Sequence, residues 1–141
     1  MSNQIKRKIQ VAVVYCDQSK QKQLLLLKLI PERGGHWQNV TGHVETGETL
    51  QEAAIRELIE ETSISQSHAQ LIDAKFSFDF TDRFKMERSE HGFIAWVDTN
   101  IIELDKTEHT EFKWISLNQV TKEDLGFSTH WDLIKIVKER E

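Results

Sequence analysis

The sequence is poor in residues on which several common protein architectures depend. Its 141 residues include a single cysteine and a single proline. One cysteine cannot form an intramolecular disulfide or a cysteine-based zinc site, and Cys16, within an apolar run, is expected to be a small buried side chain. Basic residues are also in the minority, at 18 against 23 acidic residues, which gives a formal net charge of -5. This balance argues against a nucleic-acid-binding surface.

Long apolar runs are absent as well. No segment approaches the roughly 20 apolar residues that a membrane span requires. The N-terminal residues MSNQIKRKIQ contain basic side chains but lack the apolar segment and cleavage site of a signal peptide. With 38% hydrophobic residues, the chain can nevertheless form a core. We therefore expect one cytoplasmic domain spanning residues 1–141, with no membrane partner.

Hydrophobic periodicity and turn residues divide the chain into strands and helices. Apolar runs predict strands at residues 9–15, 23–30, 37–40, 69–80, 91–97 and 112–117. Helical spacing predicts a central helix from Thr46 or Gly47 to about Thr62, with Glu48 in its first turn, and a closing helix at residues 130–138. Asn118 is a candidate cap for a short helix before the closing one. Strands on both sides of one central helix favour a mixed sheet sandwiched between helices.

The central helix carries a concentration of acidic residues on one face. Glu57, Glu60 and Glu61 lie three or four residues apart, so their side chains project together, with no lysine among them. Each like-charge pair costs about 0.2–0.5 kcal/mol on an exposed helix. Two explanations are open, a solvated acidic surface or a binding site for a divalent cation. Carboxylate oxygens suit Mg²⁺ and Mn²⁺, which bind them together with substrate phosphates.

The residues around this acidic face resemble the signature of the Nudix hydrolases. From Gly42 to Ile64 the chain reads GHVETGETLQEAAIRELIEETSI. This segment matches G-x5-E-x7-R-E-U-x-E-E-x-G-U, where U is a bulky apolar residue, at every fixed position except Ser63. The signature has glycine there, which readily adopts a left-handed turn after the helix. Serine therefore predicts an altered local backbone, while the acidic residues are unaffected.

The resemblance implies a fold and a metal-dependent site. The expected fold belongs to the α+β class and is one Nudix-type α/β/α sandwich over residues 1–141, with a mixed β-sheet and a central catalytic loop and helix. Mg²⁺ is the implied cofactor, with Mn²⁺ able to replace it. The implied metal ligands are the Gly42 carbonyl and the carboxylates of Glu57, Glu60 and Glu61. Arg56 would brace the glutamates, and Glu57 is the preferred general base. Glu48 would either tie the loop to the helix or simply suit the helix dipole.

A further acidic candidate lies in the segment TEHTEFKW at residues 107–114. In many Nudix hydrolases a glutamate a few residues before a strand tryptophan reaches the metal or the catalytic water, and Glu108 stands in that position. The resemblance therefore implies Glu108 as a metal ligand and as the second candidate for the general base. The alternative is an ordinary loop carboxylate among other acidic residues. We expect His109 to be a loop or packing residue rather than a base.

The segments WQNVTG, TEHTEFKW and HWDLIKIV resemble most closely the bacterial dihydroneopterin triphosphate pyrophosphatases, which also act on deoxynucleoside triphosphates such as dATP. The implied reaction is cleavage of a nucleoside or pterin triphosphate to a monophosphate and pyrophosphate. Candidate substrate contacts are Trp37 for stacking and Lys28 and Arg33 for phosphates. Phe78 and Phe80, at alternating strand positions, are expected to belong mainly to the core. A homodimer is compatible with this resemblance.

Two other functions stay open. The segment GHVETGE also resembles the diadenosine tetraphosphate hydrolases, so a diadenosine polyphosphate hydrolase is the alternative enzyme. A catalytically inactive, nucleotide-binding Nudix-like domain is the alternative from a different class. Such a domain has no need of the metal ligands, yet Arg56 and all three helix glutamates are present.

Overall fold

A computed structural model describes residues 6–140 of the chain. The strands are β1 (Lys6–Cys16), β2 (Lys22–Leu29), β3 (Trp37–Gln38), β4 (Val40–His43), β5 (Ala69–Thr81), β6 (Glu87–Val97) and β7 (His109–Ser116). The α-helices are α1 (Leu50–Thr62) and α2 (Ser128–Glu139), and 3₁₀ helices lie at Pro31–Arg33, Gln66–His68 and Lys122–Asp124. Every predicted strand overlaps an observed one, although the predicted strand at 37–40 is divided between β3 and β4.

The seven strands within residues 6–140 belong to one mixed sheet in the order β3-β2-β1-β6-β5, with β4 beside β1 and β7 beside β2. Strand β1 pairs in parallel with β6 along one edge. Its other edge pairs with β2 through residues 14–16 and with β4 through residues 8–11. Strand β2 then pairs with β3 through residues 27–28. The segment from Trp37 to His43 is therefore inserted between β1 and β2, which positions the glycine loop that follows.

Each face of the sheet is covered by one helix. Odd-numbered residues of β1, such as Val11 and Val13, pack in the cluster that contains Ala53 and Leu58 of α1. Even-numbered residues, such as Ala12, pack in the cluster that contains residues of α2. The alternation follows from the twofold period of a strand, and both faces are apolar because both are covered. The predicted sheet between helices is confirmed.

The first turn of α1 differs from the prediction. We expected the helix to begin at Thr46 or Gly47, but Leu50 is its first residue and Thr49 is the N-cap. The Thr49 hydroxyl accepts the backbone N–H of Glu52 at 3.1 Å, and the Glu52 carboxylate accepts that of Thr49 at 3.0 Å. This reciprocal capping box fixes the start of the helix. Glu48 consequently lies in the loop, not in the first helical turn.

At the other end of α1, Ser63 adopts the left-handed conformation that glycine would favour, with φ of 65°. Its N–H donates to the carbonyl of Ile59, and its hydroxyl donates to the carbonyl of Glu103 at 2.9 Å. The expected alteration of the backbone is therefore wrong, because the turn is retained with serine.

Two smaller expectations also fail. Asn118 does not cap a helix, since the short 3₁₀ helix at Lys122–Asp124 is capped by Thr121, which forms its own box with Asp124. Cys16 is exposed rather than buried, because it is the last residue of β1, beyond the buried part of the strand. Neither helix within residues 6–140 is long and apolar enough to cross a membrane.

Candidate active site

Arg56 on α1 joins the preceding loop to the acidic face of the helix. Its Nε and Nη2 atoms donate to the two carboxylate oxygens of Glu48 at 2.8 and 3.0 Å, and Nη2 also donates to the carbonyl of His43 at 2.8 Å. Its Nη1 atom donates to Glu57 at 2.9 Å and to Glu60 at 3.3 Å. The hydrogen bond from Arg56 lowers the pKa of Glu48 to about 2. Both groups are thus charged at neutral pH, and the loop is fastened to the helix.

Glu57 and Glu61 are the buried members of the acidic face. Glu61 is 1% exposed and Glu57 is 9% exposed, whereas the side chain of Glu60 is more than half exposed. Burial, reinforced by the neighbouring Glu57, raises the pKa of Glu61 to about 10. Burial also raises the pKa of Glu57, against the opposing effect of the hydrogen bond from Arg56. Two adjacent buried carboxyl groups disfavour the doubly charged state unless positive charge is supplied.

Gly42 leaves the space that Glu57 occupies. It lies in β4, opposite Ile9 of β1. A Cβ atom added to Gly42 would lie less than 3.0 Å from three atoms of the Glu57 side chain, Cγ, Cδ and Oε1. Since Gly42 does not have a positive φ, this close approach is the reason why its lack of a side chain matters.

Glu61, Glu108 and His109 converge on one point. The potential ligand atoms of these three side chains all lie within 4.8 Å of one another, and His109 Nε2 is 3.6 Å from Glu61 Oε1. This distance is too long for a hydrogen bond. Both oxygens of Glu61 and both ring nitrogens of His109 are buried without hydrogen-bond partners. Burial lowers the pKa of His109 to about 4, so the ring is neutral at pH 7 and keeps a lone pair for a cation.

This donor set fits a divalent cation. Buried polar atoms in proteins nearly always have a partner, so four unpaired atoms in two adjacent side chains call for an explanation. A cation would satisfy the Glu61 oxygens and a His109 nitrogen, and Glu108 is close enough to share it. Carboxylate ligands suit Mg²⁺ or Mn²⁺, and an imidazole ligand is more compatible with the second.

Glu57, Glu60, Glu61 and Glu108 are together called the acidic cluster. A cavity of about 620 Å³ opens near it. Arg33 connects the two, because it lines the cavity while its Nη1 atom lies 3.3 Å from Glu108 Oε1. Aromatic and charged side chains line the cavity, among them Phe78, Phe80, Phe127, Lys8, Arg33 and Glu90. Such a mixture can hold a flat organic group and an anionic one.

Comparison with known proteins identifies the fold and the motif together. Residues 6–135 match the family model of the NUDIX domain. The chain belongs to the Nudix family. A dihydroneopterin triphosphate diphosphatase of Haemophilus influenzae is 34% identical over 97 residues, which are 61% of this chain and 61% of that protein. An octanoyltransferase of Myxococcus xanthus is 33% identical over 112 residues, which are 79% of this chain and 31% of that protein.

The chain thus spans less than two thirds of the length of either relative. Among solved structures, a C. elegans Ap4A hydrolase in a binary complex superposes with a TM-score of 0.81. That superposition covers 96% of this chain and 97% of the other at 22% sequence identity, which supports a common fold and nothing more specific.

The Nudix motif and the later TEH segment are brought together in space, although 45 residues of sequence separate Glu61 from the start of the segment at Thr107. Arg33 lies between the motif and the cavity. Lys28 and Trp37 are not among the cavity-lining side chains. Lys28 pairs with Glu111 at 3.4 Å, and the Trp37 ring lies under the Lys113 ammonium at 4.3 Å. Their role as substrate contacts stays a prediction.

Two features of the candidate site were not predicted from the sequence. His109 is the first residue of β7 and is buried against Glu61, which agrees with a packing residue, but its position as a candidate metal ligand was not predicted. Its position next to Glu108 in TEH was the available signal. Glu90 was overlooked because it precedes the predicted strand at 91–97, and β6 in fact begins at Glu87. Phe78 and Phe80 are half-buried and line the cavity, so they are not solely core residues.

Proposed function

We propose that the chain is a Mg²⁺-dependent pyrophosphohydrolase that cleaves a nucleoside or pterin triphosphate to a monophosphate and pyrophosphate, with Mn²⁺ able to replace Mg²⁺. The observation that carries the proposal is a set of four buried atoms without hydrogen-bond partners, the two carboxylate oxygens of Glu61 and the two ring nitrogens of His109, which lie beside Glu108. Family membership and the substrate in the name of the Haemophilus relative support the reaction and the substrate class.

The proposed ligands are the Gly42 carbonyl, the carboxylates of Glu57, Glu60, Glu61 and Glu108, and a ring nitrogen of His109. Bound divalent cations would screen the phosphate charge and make the attacking water more acidic. Arg56 holds Glu57 and Glu60 through hydrogen bonds from one nitrogen. Its bond to Glu57 engages Oε1, so Oε2 can take the proton of the attacking water, which makes Glu57 the preferred general base. Glu108 is the second candidate.

Positive charge for the phosphates comes from Arg33. It lines the cavity, and its guanidinium lies 3.3 Å from Glu108, next to the proposed ligands. A guanidinium there can bind a phosphate oxygen through charge-assisted hydrogen bonds while the organic group occupies the cavity. This arrangement would place the scissile anhydride between the cavity and the acidic cluster.

A substrate panel with product identification tests the proposal. Purified protein with Mg²⁺ should release pyrophosphate and a monophosphate from at least one of dATP, dGTP and dihydroneopterin triphosphate. Excess chelator should abolish turnover, because the carboxylates alone supply no positive charge. Preferential release of ATP and AMP from diadenosine tetraphosphate would assign the alternative enzyme. Binding of these compounds without turnover would assign the inactive nucleotide-binding domain.

A further inference from the structure

A buried carboxylate, Glu90, lies in the cavity wall and has no part in the proposed reaction. It is 4% exposed and lies on β6, where it is opposite Lys8 of β1 on one side and Phe78 of β5 on the other. Residues opposite each other in a sheet share a face, so these three side chains form one row beneath the cavity. All three line the cavity.

A buried polar network fixes Glu90 as a hydrogen-bond acceptor. The Nε2 atom of Gln10 donates to Glu90 Oε2 at 3.0 Å and to the carbonyl of Thr129 at 3.2 Å. The Oε1 atom of Gln10 accepts a hydrogen bond from Asn39 Nδ2 at 3.0 Å. A 180° flip of the Gln10 amide would therefore break these contacts. His130 completes the network by accepting the backbone N–H of Asn39 at 3.0 Å.

Glu90 lines the cavity and can accept more hydrogen bonds than its protein neighbours donate. An ionised carboxylate has about four acceptor positions. Gln10 uses one, and the Lys8 ammonium, 3.7 Å from Oε1, provides a nearby positive charge. Burial raises the pKa of Glu90, while Lys8 and Gln10 favour the charged form. The carboxylate therefore retains unused acceptor positions that can take two N–H donors from a ligand in the cavity.

Aromatic rings define the shape of such a ligand. Phe78 and Phe80 of β5 lie with their ring centroids 5.8 Å apart along the cavity. Phe127, which is 44% exposed, precedes α2 and also lines the cavity. The cavity thus has aromatic rings from β5 on one side and from the residue before α2 on the other. Such rings favour a flat heterocycle, whose edge can then point to Glu90.

We propose that Glu90 is a specificity-determining residue that binds the edge of a 2-amino-4-oxopyrimidine ring, the group shared by guanine and pterins. The inference rests on the proposed function and names its substrate class. That ring presents a ring N–H beside an exocyclic amino group, two adjacent donors that match a carboxylate. Adenine instead presents an unprotonated ring nitrogen beside its amino group, and that lone pair opposes the carboxylate. Adenine substrates are therefore disfavoured.

Equilibrium binding tests this independently of hydrolysis. Guanosine, neopterin and adenosine are titrated into the full chain by calorimetry, in chelator and without phosphates. The first two should bind the wild type about tenfold or more tightly than adenosine, as expected for one paired edge. Glu90→Gln should reduce this preference about tenfold, because its amide offers one donor in place of an acceptor. Glu87→Gln, which alters an exposed carboxylate on the same strand, should retain it.

Hydrolysis in Mg²⁺ then distinguishes the two sources of the ring. The ratio of kcat/KM for dGTP and for dihydroneopterin triphosphate shows which is preferred, each compared with dATP. Absence of turnover with a retained binding preference would overturn the proposed function while supporting the role of Glu90. Equal binding of guanosine, neopterin and adenosine to the wild type would overturn the role of Glu90, and this result does not depend on whether Glu90→Gln folds. An unchanged preference in folded Glu90→Gln would also overturn it.

Discussion

Replacing Gly42 with alanine should disturb the acidic cluster through a single contact. The added Cβ would lie less than 3.0 Å from Cγ, Cδ and Oε1 of Glu57, so the Glu57 side chain must move. Glu57 is 9% exposed and accepts a 2.9 Å hydrogen bond from Arg56, which that movement breaks. The backbone itself tolerates alanine, since Gly42 lacks a positive φ.

The expected cost can be bounded from these contacts. Overpacking a well-packed site costs about 1–3 kcal/mol, and loss of a charged hydrogen bond costs about 1.5–3 kcal/mol. The two overlap, because moving Glu57 relieves the clash at the expense of the hydrogen bond. We therefore expect Gly42→Ala to lower the free energy of unfolding by about 2 kcal/mol. The affinity of the proposed metal site for Mn²⁺ should fall by about 10–100-fold as well.

A double-mutant cycle isolates the contact. Urea unfolding in chelator is measured for Gly42→Ala, Glu57→Ala and the double variant. Truncating Glu57 removes the three atoms nearest to the added Cβ, so most of the cost of Gly42→Ala should disappear and the coupling should be about 1–2 kcal/mol. Mn²⁺ affinity is measured in parallel. Strictly additive costs, or wild-type metal affinity in Gly42→Ala, would refute the reasoning.

Four further changes test other parts of the site. Glu61→Gln should stop hydrolysis yet stabilise the chelated protein at pH 7 by about 1–3 kcal/mol in urea unfolding, because a carboxyl pKa raised from 4.5 opposes folding above that pH; a loss of stability contradicts this. His109→Asn should weaken Mn²⁺ binding about tenfold without unfolding the chain. His68→Asn, which replaces an exposed histidine, should leave the Mn²⁺ affinity unchanged. Burial lowers the pKa of His130 to about 3, whereas the same histidine in the unfolded chain has a pKa of 6.5. Protonation therefore favours the unfolded chain, and the free energy of unfolding falls as the pH is lowered below 6.5. Between pH 7 and pH 5 wild type should lose about 2 kcal/mol more than His130→Asn, and parallel curves would contradict this. Ser63→Ala should destabilise by about 1 kcal/mol through loss of the bond to Glu103, whereas Ser63→Gly, which also relieves the left-handed strain, should change stability by less than about 0.5 kcal/mol.

Local signals predicted the elements of the fold well and their ends poorly. The strand at 9–15 and the apolar spacing of α1 depend on residues close in sequence, and both were found. The start of α1 was misplaced because Thr46, Gly47 and Thr49 are all acceptable caps. The capping box with Glu52 and the attachment of Glu48 to Arg56 decide between them. The signature implied that second contact as one of two roles for Glu48, but it did not specify the residue at which the helix begins.

The site was predicted to the extent that its residues belong to a motif. The role of Arg56 as a brace followed from the signature and agrees with its hydrogen bonds. The convergence of Glu61 with His109 depends on how β7 lies across from α1, which spacing along the chain does not specify. The position of Glu90 in the cavity wall likewise depends on its register with Lys8 and Phe78.

Stability and the proposed reaction make opposite demands on α1. A helix selected only for stability would not bury Glu61 without a hydrogen-bond partner or place Glu57 beside it, since burial disfavours both charges. The fold tolerates them because Arg56 supplies one positive charge and two apolar clusters stabilise the sheet. Cation binding would remove the remaining repulsion between the carboxylates. The folded protein would therefore be more stable with the cation bound than without it. The same buried carboxylates that weaken the metal-free domain would therefore provide the proposed binding of a divalent cation.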